Sequence, residues 1–452
     1  MNIVIVGAGK VGELLCVELS REDHSVSLIE KDAGRLEQLI NMSDITGFEG
    51  NGAMLESQIE AGVRTADVFI AVTPVDETNI IAAITAKKIG ARYSIARVRS
   101  PEYSLQMQFL RESLGINVMI NPELEASRDI ARLLRFPKAL SVEYFDHGRV
   151  NFIETEIAPG SPLKGCKLCD LTADMGNVLV CLVIREDSVI IPDGQTELAA
   201  DDRLFITGSD EEIAVFTDNC TGIKRRKSIR KALIVGGGRL TRYVLPRLDR
   251  MGIFCKVIEV DPRLADEMAA EFPGCEVISG DGTSQTFLRE ERIQNYDVVM
   301  SLTGIDEENL LISIFAAHEG VPKTITKVNR TDLLGLLENT GLQSIITPRR
   351  VISDQIIRLI RSLANSEGSN VEAFYRLADG RAELLEFHVA PKCRACNIPL
   401  QALNTKPGLL LACLIRDDKV IYPRGQDRLL PGDDVIVITV HPNFHDLEDI
   451  LA

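Results

Sequence analysis

The chain runs to 452 residues, long for one core, so about two to four domains are expected. Its 66 acidic against 50 basic residues give a net charge of −16, which argues against a general nucleic-acid-binding role, because a polyanion needs a basic face. No apolar run approaches the ~18 residues of a membrane helix, and ten cysteines are too sparse for a disulfide framework, so a reducing compartment fits.

The N-terminus enters a strand at once, "NIVIV" (2–6), without the pattern of a signal peptide, so a cytoplasmic protein is expected, peripheral if it serves a membrane. "GAGKVG" (7–12) and a helix-like segment follow, then "SVSLI" (25–29), "VFIAVT" (68–73) and "YSIARV" (93–98). Short buried strands alternating with helices predict a parallel, doubly wound sheet. "NPELEASRDIARLLRF" (121–136) reads as a helix, with Ile130, Leu133 and Leu134 on its apolar face. The texture then changes. "VNFIETEI", "NVLVCLVI", "SVIIP" and "DRLFIT", broken by Gly, Pro and Asp clusters, predict a small β-rich module. A densely basic stretch, "GIKRRKSIRK" (222–231), reads as a solvated linker.

The pattern then starts again with "KALIV", "CKVIEV", "VVMSLT" and "TITKV", and "SDQIIRLIRSLA" (353–364) repeats the helix. Gly7 matches Gly236, Glu30 matches Glu259 and Asp32 matches Asp261, each pair 229 residues apart. "TPVDETN" (73–79) matches "TGIDEEN" (303–309), and "IPDGQ" (191–195) matches "YPRGQ" (422–426). The expected fold is α/β: two tandem Rossmann-like parallel-sheet domains (1–138 and 232–366), each followed by a small β-rich α+β domain (139–222 and 367–452), with a linker at 223–231.

Gly7, Gly9 and Gly12 form G-x-G-x-x-G between a strand and a helix. The first glycine permits the tight turn, the second lets backbone N–H groups approach a pyrophosphate, and the third lets helix and strand pack closely. Ala8, Lys10 and Val11 of the same turn join the candidate set. Glu30 closes the next strand, where a carboxylate accepts from a ribose hydroxyl and repels a 2′-phosphate, favouring NAD(H) or another adenine nucleotide over NADP. Asp32, Gly50, Asn51, Thr73, Asp76, Glu77, Asn79 and Arg97 gather at strand ends, where ligands of open parallel sheets lie. Arg97 offers a fork of donors to a phosphate. Turn chemistry and helix capping account for part of the Asp-Glu-x-Asn signal. The second half places Gly236, Gly238, Arg239, Glu259, Asp261, Gly280 and Asp281 in corresponding positions, with Thr241 in place of the third glycine. Its pocket is intact, altered or vestigial.

No catalytic set stands out. His24, His147, His318, His388, His441 and His445 do not recur between the halves at a strand end beside the nucleotide, and there is no P-loop or G-x-S-x-G. The expectation is a protein that is not an enzyme. An NAD-dependent oxidoreductase with a degenerate second half is the alternative. The C-x-x-C pairs, Cys166 with Cys169 and Cys393 with Cys396, do not have zinc-ribbon spacing, and reduced, partly buried thiols are the default reading.

With "MNIVIVGAGKVG", "LIEKD", "AVTPVDETN", "IARVR", "INPELEASRDIARLLRFP", "ALIVGGGRLT" and "VIEVD" together, the whole chain resembles the TrkA family, cytosolic regulatory subunits of Trk potassium-uptake systems with tandem RCK (KTN) domains. The resemblance implies a homotetrameric gating ring at the cytoplasmic face of the inner membrane, beneath a potassium-translocating TrkH or TrkG subunit. It also implies that bound NAD(H), ATP or ADP changes the ring. By that analogy Gly7, Gly9, Gly12, Glu30, Asp32, Asp76 and Arg97 line the site. The second half departs from the pattern at Thr241, Lys327 and Asn329.

Overall fold

The computed structural model describes residues 1–22, 24–104, 106–145, 149–172, 175–186, 188–221, 229–330, 342, 344–365, 371–377, 381–417, 419–441, 444 and 446–452. Most of the expected basic linker, the boundary expected at 366/367, and His147 and His445 lie outside the described residues. The chain divides into two compact units, Met1–Ala131 with Ile229–Ile357, and Arg132–Ser228 with Arg358–Ala452. Each unit joins corresponding parts of the two sequence repeats.

The first unit holds two Rossmann-like lobes. In lobe one, β1 (Asn2–Val6), β2 (Ser25–Glu30), β3 (Thr46–Glu49), β4 (Val68–Ala71), β5 (Tyr93–Arg97) and β6 (Val118–Ile120) form a parallel sheet in the order β3-β2-β1-β4-β5-β6. The helices are α1 (Lys10–Ser20), α2 (Ala33–Met42), α3 (Leu55–Glu60), α4 (Asp76–Ile89), α5 (Pro101–Ser104), α6 (Met107–Leu114) and α7 (Pro122–Arg135). Ile3, Val4, Ile5 and Val6 are all buried, as expected of a strand covered on both faces.

Small lobe one follows, with β7 (Ser141–Phe145), β8 (Val150–Glu156), β9 (Leu179–Arg185), β10 (Ser188–Ile190), β11 (Arg203–Thr207) and α8 (Asp210–Thr221). Lobe two repeats the parallel sheet with β12 (Lys231–Val235), β13 (Phe254–Glu259), β14 (Glu276–Ser279), β15 (Val298–Ser301), β16 (Lys323–Lys327) and β17 (Ser344–Ile346). Its order is β14-β13-β12-β15-β16-β17, the same as in lobe one. Its described helices are α9 (Arg239–Arg250), α10 (Pro262–Glu271), α11 (Gln285–Glu290), α12 (Asp306–His318) and α13 (Pro348–Asn365). In both lobes the strand order reverses between the first and fourth strands, which opens a crevice at the strands' carboxyl ends.

Small lobe two has β18 (Val371–Leu377), β19 (Ala382–His388), β20 (Leu409–Arg416), β21 (Lys419–Ile421) and β22 (Asp434–Thr439). The small lobes make up the second unit as antiparallel five-stranded sheets, β10-β9-β11-β8-β7 and β18-β19-β22-β20-β21, which are one topology in two copies. They share a core that includes Phe145, Phe152, Leu182 and Phe205 from one copy and Leu384, Ile415 and Ile436 from the other. The Phe145 ring lies 4.2 Å from that of Tyr375. At about 1.5–3 kcal/mol per buried large apolar side chain, this core holds the two copies together. In each copy a buried aspartate takes a two-pronged arginine, Arg185 on Asp202 and Arg416 on Asp433, with both bonds of each pair at 2.7 Å. Among the described residues no helix is long and apolar enough to cross a membrane.

Candidate functional site

The three glycines after β1 are glycine for different reasons. Gly7 has φ +104°, and a Cβ there would stand 3.2 Å from the Thr73 backbone. A Cβ on Gly12 would fall 1.9 Å from the Gly7 carbonyl oxygen, so only glycine lets α1 pack this close to the turn. Gly9 needs glycine for neither reason. Its φ of −70° and ψ of 177° suit any residue, and a Cβ there would meet nothing within 4 Å. Gly9 is also the N-cap of α1, and no side chain caps that end. The first N–H groups and the positive end of the helix dipole therefore face the space above Gly9.

Lobe two repeats this geometry. Gly236 has φ +104°, and Gly238 has φ −70° and ψ −174°, with nothing within 4 Å of a Cβ. No side chain caps α9, and Arg239 is exposed beside it. Thr241 is buried and its hydroxyl donates to the Gly236 carbonyl at 2.5 Å. A carbon cannot sit 1.9 Å from a carbonyl oxygen, the position a Cβ would take in lobe one, so α9 stands farther from its turn than α1 does. The hydroxyl fills the gap, and the space above Gly238 stays open.

The strand-end acids hold the turns. Glu30 accepts from the N–H groups of Ala8 (2.5 Å), Lys31 (2.7 Å) and Asp32 (3.1 Å). A carboxylate has about four acceptor sites, so about one remains for a hydroxyl. Glu259 accepts from Gly237 at 2.5 Å and Asp261 at 2.9 Å, which leaves it about two. Asp32 caps α2 through the Arg35 N–H, and Asp261 caps α10 through Arg263.

Gly50 donates to the Glu30 carbonyl and lies against Ser57, while Asn51 accepts from the Ala53 N–H. Gly280 lies under the Phe287 ring. Asp281 accepts from the Thr283 hydroxyl and N–H, which lowers its pKa.

In the first turn of α4, Asn79 is fully buried. Its amide oxygen accepts from the Thr73 N–H and hydroxyl, and its NH2 donates to the Thr73 and Arg97 carbonyls. Asp76 accepts from the N–H groups of Arg99 and Ser100, both at 2.8 Å. Glu77 takes the Tyr103 hydroxyl at 2.9 Å, and its pKa is lowered by a bond to its own backbone N–H and then by Tyr103. Asp76 and Asn79 therefore join strand ends.

Arg97 turns back onto the Thr73 carbonyl at 2.6 Å, beside Gly7, and its Nε has no hydrogen-bond partner. Burial lowers its pKa to about 10; Arg99 also lowers it, while Glu123 and Asp76 raise it. Lys327 copies the arrangement with Nζ 2.9 Å from the Thr303 carbonyl, and burial lowers its pKa as well.

A cavity of about 240 Å³ opens beside the first turn, lined by Ala8, Gly9, Lys10, Glu13, Arg35, Gln38, Leu39 and Met42. Val11 instead points into the core. The four α2 residues were not among the sequence candidates. Their spacing along α2 puts them on one helix face, a signal that was present in the sequence.

The two C-x-x-C pairs differ. The Cys166 thiol donates to Pro162 and Cys169 meets Asp170 and Gln195, whereas the Cys396 thiol donates to the Ala390 carbonyl at 3.8 Å, and burial, then neighbouring Cys393, pushes its pKa up to about 11. Among the described residues no three His, Cys, Asp or Glu side chains are grouped to hold a metal ion.

A family model described as TrkA-N domain matches residues 3–122 and 232–348, and one described as TrkA-C domain matches 152–221. A Trk system potassium uptake protein TrkA homolog from Archaeoglobus fulgidus is 31% identical over 450 residues, covering 100% of both chains. A TrkA homolog 1 from Methanosarcina mazei is 32% identical over 452 residues, covering 97% of each. The solved structure described as GsuK channel bound to NAD superposes with a TM-score of 0.61 at 17% identity, covering 97% of this chain and 76% of that one. At that identity the likeness is one of fold.

Proposed function

The chain belongs to the TrkA family, and from that premise we propose that it is a nucleotide-sensing regulatory subunit of a potassium-uptake system. The observation that carries the nucleotide half of this reading is the open space above Gly9 and Gly238. Neither glycine is required by backbone conformation or packing, and each sits at an uncapped helix start. A phosphate group held there explains both.

The N–H groups of α1 would face the phosphates, with Lys10 beside them. The remaining acceptor of Glu30 would take a ribose hydroxyl, and its charge would oppose a 2′-phosphate. NAD(H), ATP and ADP fit this donor set. Arg97, packed against the turn at Thr73, would raise the positive potential at the phosphates. The lobes at 1–138 and 232–366 would be the sensors, and those at 139–222 and 367–452 the small RCK lobes.

In this reading the protein is not an enzyme. It assembles as a homotetramer at the cytoplasmic face of the inner membrane and acts on a TrkH- or TrkG-like partner by changing ring geometry. A nucleotide shifts that geometry only as far as it binds two ring states with different affinity. Potassium flux into vesicles carrying the membrane partner tests the reading. Added protein should make flux depend on NADH, ATP or ADP, and Gly9→Asp should weaken that dependence. Flux that ignores every nucleotide, in the presence of protein that binds one, contradicts it.

A further inference from the structure

The two Rossmann-like lobes meet inside one compact unit, and the helix that starts at the second glycine turn is fastened to lobe one. Tyr243 lies on α9, five residues beyond the N-cap Gly238, or about 7.5 Å along the axis at 1.5 Å per residue. Its hydroxyl donates to the Arg99 carbonyl at 3.1 Å and accepts from the Asn121 amide at 2.8 Å. Asn121 is 1% exposed, and its oxygen takes the Leu124 N–H at the start of α7. One turn further along α9, Arg247 Nε donates to the Ser127 hydroxyl at 2.9 Å, and Ser127 is fully buried on α7.

Arg99 belongs to the rim of the first site. Its N–H and that of Ser100 bind Asp76, and its guanidinium binds the Pro74 carbonyl at 2.8 Å. The loop so held starts at Thr73, which packs against Gly7 and accepts from Arg97. A continuous set of bonds therefore runs from the second glycine turn, along α9, to the first site and to α7.

Two features make α9 suited to carry a displacement. Pro246 stands inside it and removes one helical hydrogen bond, so the first turns are less rigidly tied to the rest. The corresponding positions on α1 hold Leu14 and Glu18, and leucine has no hydroxyl to bridge two lobes.

We propose that Tyr243, supported by Arg247, couples the two nucleotide sites of a single chain, so that a ligand at the second glycine turn sets the affinity of the first. This rests on the nucleotide-sensor reading and adds a role for the second copy. Tyr243 is a positioning residue and acts through α9, Arg99 and Asn121. The coupling is reciprocal, as linkage requires.

The test is calorimetric titration of the full chain with ADP. Wild type is compared with Gly238→Asp, in which only the first site is free, and each is repeated in Tyr243→Phe and Arg247→Met backgrounds. The proposal expects first-site affinity to differ at least about fivefold between wild type and Gly238→Asp, within the usual range of allosteric coupling. It expects the difference to fall below about twofold in Tyr243→Phe, with two ADP still bound when Gly238 is present. A loss of folding alone would not hold stoichiometry while abolishing the ratio. If both variants keep the wild-type ratio, or if wild type shows none, the coupling is refuted and the sensor reading stands. If wild type binds neither ADP nor NADH, both fall.

Discussion

Thr241→Val replaces one hydroxyl with a methyl group of nearly the same volume, at the position where the two glycine turns differ. The Thr241 hydroxyl donates to the Gly236 carbonyl at 2.5 Å in a fully buried site. Losing a typical hydrogen bond costs about 1 kcal/mol, and leaving a buried acceptor without its partner raises the cost to about 1–3 kcal/mol. The methyl carbon cannot remain 2.5 Å from an oxygen, so α9 must also move away from the turn. The sum is about 2–3 kcal/mol. For a unit of about 260 residues each kcal/mol lowers the melting temperature by about 2 °C, so the Rossmann-like unit should melt about 4–6 °C lower. Scanning calorimetry on the full chain reads this directly. Thr241→Ser keeps the hydroxyl and should stay within about 1 kcal/mol of wild type. If the valine variant melts with wild type, or the serine variant falls as far as valine, the hydroxyl does not hold the turn.

Gly9→Ala should cost under about 1 kcal/mol, because its Cβ meets nothing, yet weaken nucleotide binding at the first site at least about tenfold. Gly7→Ala should cost about 2 kcal/mol or more, since φ is +104° and the Thr73 backbone lies 3.2 Å from the new carbon. Melting curves with a fluorescence titration separate the two outcomes; equal losses of stability would contradict the assignment.

Lys323 is fully buried on β16, and burial lowers its pKa from 10.5 to about 7. The unfolded chain binds the proton more readily, so stability should rise as pH climbs from about 7 to 10.5, and the penalty is complete below 7. Lys323→Met should flatten that rise in urea unfolding between pH 6 and 10. An unchanged slope would mean the ammonium is better accommodated than its burial indicates.

The alternation of apolar strands with helices, and its repetition, made both parallel sheets legible from sequence. The inner strands β1, β4, β12 and β15 are short, continuous and buried on both faces, so their signal is local, whereas the edge strands β3 and β14 are partly exposed. The glycine turns were legible for the same reason. The roles of Asp76 and Asn79 were only half legible. Their spacing is compatible with ligand contact and with joining strand ends, and only the partners at Arg99, Ser100 and the Arg97 carbonyl separate these.

Arg97 shows the limit of reading a residue type. An arginine at a strand end suggests an open donor fork, but here it packs onto Thr73. The Thr241 hydroxyl bond and the Tyr243 bridge depend on contacts between residues distant in the chain or on sub-ångström spacing. Periodicity carries neither.

We propose above that the spaces over Gly9 and Gly238 seat nucleotide phosphates. Counting nucleotides bound per chain tests it most directly, with ADP and NADH on wild type, Gly9→Asp, Gly238→Asp and the double variant. A carboxylate in either space blocks it by volume and by charge. Two should bind per wild-type chain, one in each single variant and none in the double variant. Wild-type stoichiometry in a folded Gly9→Asp, Gly238→Asp double variant would contradict it.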